Sequence, residues 1–175
     1  MSHEGPRNSP MWVDATFALF ILVDVSRDEI NRVLQEAYDG STVNDYMFWL
    51  ADDFSNAPRR RREGDATYVE SGTEPPIPEG WTSRFKGKTI QDVAGFLKQA
   101  PDELCVDWHH FAVLGEDFTK RHVITLCRIG DEELKGDKLS TLPCTVEQSA
   151  LCLSSMEPHK WEEYQADQDG NNPIM

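Results

Sequence analysis

The chain is short of positive charge. Its 175 residues hold 17 lysines and arginines against 31 aspartates and glutamates, a formal net charge of -14. Phosphate backbones and anionic bilayer surfaces repel such a chain, so neither nucleic acid nor membrane is an expected partner. Signature loops are missing too. There is no GxxxxGKS/T and no GxGxxG behind a strand, and HExxH and GxSxG are absent. Those absences argue against P-loop nucleotidases, dinucleotide enzymes, zincin proteases and α/β-hydrolases, and leave an enzyme only if scattered residues assemble its site. Cys105, Cys127, Cys144 and Cys152 form no C-x-x-C pair and are poorly spaced as metal ligands. The apolar run ATFALFILV, flanked by Asp14 and Asp24, falls short of the roughly 20 residues that span a bilayer. No cationic, cleavable leader precedes it. The protein is therefore expected to be intracellular, cytoplasmic or nuclear, with reduced thiols.

What is present suffices for one core: 39% of residues are hydrophobic and 27% charged. Residues 1–14 read as a flexible leader, 15–168 as a single domain and 169–175 as a frayed tail. Phe17 to Val25, FALFILVDV, is a continuous apolar run, the pattern of a central strand covered on both faces. Ser26 and Glu29 then form a capping box for a helix whose apolar face is Ile30, Val33, Leu34 and Ala37, with Gly40 as its stop. Tyr46 to Phe54 reads as a second strand, parallel to the first through a right-handed crossover.

From 55 to 87 the pattern breaks into a long basic, proline-rich loop. Thr89 caps a second helix with Ile90, Val93, Phe96 and Leu97 on one face, and Pro101 follows its end. HHFAVLG and HVITLCRIG, separated by EDFTKR, predict a β-hairpin. KLSTLPC is weakly extended. Thr145 and Gln148 open a further helix, TVEQSALCLSSM, which Pro158 interrupts before HKWEEYQAD. The order β-α-β-loop-α-β-β-(β)-α implies an α+β, or mixed α/β, domain with a four- to five-stranded mixed sheet and three main helices.

Three clusters could carry chemistry. Asp24, Asp52 and Asp53 end two parallel strands, the edge where open α/β sheets place ligands. They resemble the acidic pocket of response-regulator receiver domains, although the five-fold βα alternation of that family is absent. Such carboxylates hold Mg²⁺ or share a proton, but no cofactor is expected. Asp107 and His109 share a strand face, so the carboxylate can orient the imidazole. His110 points to the other side unless the strand bulges.

Arg59, Arg60, Arg61 and Arg62, with Arg84, Lys86 and Lys88, concentrate basic charge in or beside the long loop. That pattern suits an acidic protein partner or a nuclear-import signal. Trp81 and Phe85 pin the returning loop or line a pocket beneath it. PEGW resembles the opening of a WW domain, but Trp108 lies beyond a helix where that domain has a meander. Two functions follow. One is an acidic intracellular interaction or regulatory module that engages a protein partner through the basic loop. The other is a small hydrolase or lyase/isomerase that uses the carboxylates and one histidine.

Overall fold

A strand that is apolar on both faces needs cover on both, and in the computed structural model Thr16–Ile21 (β1) receives it. The structure describes residues 16–41, 45–63, 66–101, 103–129, 139–154 and 163, with the backbone alone for 60–63, 66–69 and 108. The expected leader, the tail and the HKWEEYQAD turns lie outside them, Glu163 apart.

The elements after β1 are α1 (Arg27–Asp39), β2 (Phe48–Leu50), a 3-10 turn (Phe54–Asn56), β3 (Arg60–Glu63) and β4 (Ala66–Val69). Then come α2 (Ile90–Lys98), β5 (Val106–Leu114), α3 (Glu116–Arg121), β6 (Ile124–Ile129), β7 (Leu139–Cys144) and α4 (Val146–Ser154). Five strands form one mixed sheet, in the order β2-β1-β5-β6-β7. β1 is parallel to both neighbours; β5–β6 and β6–β7 are antiparallel. The α+β class holds; the main sheet has five strands, and β3 and β4 bring the total above the four or five expected.

Alternation along β1 divides the core. Phe17, Leu19 and Ile21 pack with Ile30, Val33, Leu34 and Ala37 of α1 and with Val146, Ala150 and Leu153 of α4. Ala18 and Phe20 pack with Val93, Ala94 and Leu97 of α2 on the opposite face. The expected Ser26–Glu29 capping box closes, and Thr89 caps α2 as expected, with Asp92 completing a box there. Gly40 does end α1, but in a right-handed conformation (φ -86°) that any residue adopts. Its need for glycine is steric, because a Cβ there would lie 1.9 Å from the Glu147 carbonyl oxygen, where α1 meets α4.

The expected loop at 55–87 is largely built. β3 and β4 pair as a separate two-stranded antiparallel sheet. Gly72 and Thr73 then run along the outer side of β2: Gly72 N donates to Tyr46 O and Thr73 N to Phe48 O, both at 2.8 Å. Leu50 N donates to Thr73 Oγ1 at 2.9 Å. Ile77 is 1% exposed; its N–H donates to Asn31 Oδ1 and its carbonyl accepts from Arg27 Nε. Ile77 thus plugs this stretch against α1. The expected turn EDFTKR is the short helix α3.

Candidate functional site

Asp24 follows β1, and Asp52 and Asp53 follow β2, so the parallel pairing brings all three to one carboxyl edge. Each is engaged by the segment returning between Pro78 and Lys88. Lys86 Nζ lies 2.6 Å from Asp24 Oδ1. Trp81 Nε1 donates to Asp52 Oδ2 at 3.2 Å. Arg84 stands 4.0 Å from Asp53 Oδ2. Asp53 also caps the 3-10 turn by accepting from the Ser55 hydroxyl and amide. Those two bonds, with a smaller contribution from Arg84, hold its carboxyl below the ordinary aspartate value.

The same segment is tied to β1 by its backbone and its core side chain. Ser83 Oγ donates to Ile21 O at 2.6 Å, and Gly87 N donates to Leu22 O at 2.9 Å. Phe85 is buried edge-on against Phe20, ring centroids 4.9 Å apart. Trp81 and Arg84, considered as binding residues from the sequence, spend these contacts on the protein's own aspartates. Ser83 and Lys86 emerge as tethers that local patterning does not reveal, since their partners lie 62 positions away.

The second cluster is rearranged by a bulge. Phe17 pairs with Asp107 and Leu19 with Ala112, so two steps along β1 match five along β5. The excess residues fold back over Asp107. Its Oδ1 accepts from the amides of His109 (2.7 Å) and His110 (3.0 Å). Its Oδ2 lies 3.6 Å from His110 Nδ1. The ring expected to pair with Asp107, that of His109, instead places Nδ1 3.1 Å from Ile129 O. The correction follows from the bulge, because simple alternation no longer predicts neighbours there. Burial opposes ionisation of Asp107, but His110 and the two amides outweigh it and hold its carboxyl below the usual value.

The arginine run lies at the base and along the first strand of the outlying hairpin. Arg59 bridges Leu104 through its backbone, its N–H donates to Glu70 Oε1 at 3.0 Å, and its guanidinium pairs with Glu103 at 3.2 Å. Cys105 N donates to Pro58 O at 2.9 Å. Arg60, Arg61 and Arg62 continue into β3, in register with Val69, Tyr68 and Thr67.

All four cysteines are buried thiols. The Cys152 thiol, followed by burial, pushes Cys144 well above the normal thiol range, and burial alone does the same to Cys127. Thiols in that state behave as small hydrophobes. Among the described residues no three His, Cys, Asp or Glu side chains converge to hold a metal ion, and no helix is long and apolar enough to cross a membrane. Comparison with known proteins finds no matching family model, curated protein or solved structure.

Proposed function

We propose that this chain is a non-catalytic interaction module that binds an acidic segment of a protein partner through the hairpin β3–β4. The observation that carries this reading is the placement of the arginine run. Arg60–Glu63 pairs with Ala66–Val69 outside the five-stranded sheet. The run therefore belongs to an ordered appendage whose base is stitched to the body through Arg59, Glu70 and Leu104. Guanidinium groups suit carboxylates because they offer forked, permanently charged donors. An ordered backbone lowers the entropy lost when they engage. The catalytic alternative is weakened at the carboxyl edge, where each aspartate already serves a tether. The reading places the module in the cytoplasm or nucleus.

The test is the triple variant Arg60→Ala, Arg61→Ala, Arg62→Ala, titrated into a fluorescent glutamate-rich peptide and followed by anisotropy. The expected outcome is salt-sensitive binding by the parent, lost in the variant while the unfolding midpoint is retained. Equal peptide affinity for parent and variant rejects the reading.

A further inference from the structure

The arginine run lies on the edge of a sheet as well as along a strand. β3 pairs with β4 on one side. Glu70 N donates to Arg59 O at 3.1 Å, so Arg59 and Glu70 form a hydrogen-bonded pair. Along an antiparallel ladder such pairs alternate with non-hydrogen-bonded ones. Arg61 therefore bonds to Tyr68, while the backbone N–H and C=O groups of Arg60 and Arg62 point to the opposite, outer edge of β3.

That edge already takes up chain at its base. Arg59 bridges Leu104 there in antiparallel sense, and Pro58 O accepts from Cys105 N at 2.9 Å. The cover is short. Leu104 N donates to Pro101 O at 3.1 Å, so the covering chain turns away while β3 continues to Glu63. Among the described residues the hairpin sheet gains no third strand.

Alternation decides what shape of partner fits. Successive positions on a strand fall on opposite faces, so Arg60 and Arg62 belong to one face of the hairpin and Arg61 to the other. An acidic helix laid on either face meets only part of the run. A strand added in the plane of the hairpin alternates in step with β3 and sets a carboxylate beside every arginine. Cross-strand neighbours stand about 5 Å apart at their β-carbons, a separation at which opposite charges attract. The free edge of β4 carries Ala66–Val69 and no charge. A strand there would lie two spacings, about 10 Å, from the arginines. A second copy of β3 would set arginine against arginine, which disfavours self-pairing. We infer that the outer edge of β3 takes up an extended segment of the partner, with carboxylates at successive positions, as an added strand. This deepens the reading of the hairpin as an acidic-partner site and rests on it.

The experiment measures anisotropy of the full chain with three fluorescent peptides at one ionic strength. They are hexaglutamate, hexaglutamate N-methylated at every internal peptide nitrogen, and a hydrocarbon-stapled helix of equal glutamate content. N-methylation keeps every carboxylate and removes the backbone donors that an added strand needs. Hexaglutamate is expected to bind tightest, with the other two weaker by at least about fivefold in Kd. A smaller loss for either peptide overturns the inference and leaves the acidic-partner reading standing. Absence of hexaglutamate binding, or equal binding by the triple variant Arg60→Ala, Arg61→Ala, Arg62→Ala, rejects that reading and the inference with it.

Discussion

The carboxyl edge and the Asp107 bulge both use aspartate, and they use it in opposite ways. At the edge, Asp24 reaches out to Lys86, and Asp53 faces Arg84 in addition to capping its own turn through Ser55; both cations are long side chains whose charged ends stay largely in water. At the bulge, Asp107 turns inward and accepts two amides of its own strand while facing His110. The first arrangement joins segments distant in sequence with bonds that salt screens. The second sets the shape of four consecutive residues, and its loss removes the acceptor that two part-buried amides share. Charge alone does not separate the two roles; the distance to the partner along the chain does.

The comparison is broken most severely at Asp107. Asp107→Ala should cost about 1–3 kcal/mol, because two part-buried amides lose their acceptor. Urea denaturation measures the loss, and an unchanged midpoint would show that the bulge holds itself. The pH dependence carries the same sign. A carboxyl whose native pKa is lowered stabilises the fold above its unfolded value, near 3.9, and that contribution fades as pH falls through the lowered native value. The parent should therefore lose more stability than Asp107→Asn as the pH falls below about 4.

The edge should yield less. Trp81→Phe removes the indole donor to Asp52 while keeping most of the ring packing. About 0.5–1.5 kcal/mol is expected by thermal unfolding; a larger loss would mean that indole packing, not the hydrogen bond, holds the segment. Lys86→Ala should have the smallest effect, no more than about 0.5 kcal/mol in dilute buffer and none in 1 M salt. A salt-independent loss would move this contact into the class of Asp107.

Patterns confined to one segment were legible. The apolar run of β1, the caps at Ser26 and Thr89, and the antiparallel pairing of β5 and β6 are written in local spacing and in periods of two and 3.6 residues. Features that depend on register or on a distant partner were not. β3 is RRRE, which offers no apolar alternation, and it is a strand because β4 pairs with it. α3 is too short to show a helical period. The Asp107 bulge is visible only against β1, so alternation chose His109 where the fold chose His110. Gly40 was legible as a stop, but its reason, the carbonyl of Glu147, lies in another helix.

Gly72 has a reach beyond the edge it lines. A β-carbon there would sit 2.3 Å from the Phe48 carbonyl oxygen, so only glycine lets this segment lie flat against β2. The segment occupies the hydrogen-bonding margin that a neighbouring copy would otherwise use to extend the sheet. A single hydrogen atom in place of a side chain thus guards a strongly apolar sheet against strand-by-strand self-association on that side, a safeguard against aggregation built from absence of bulk.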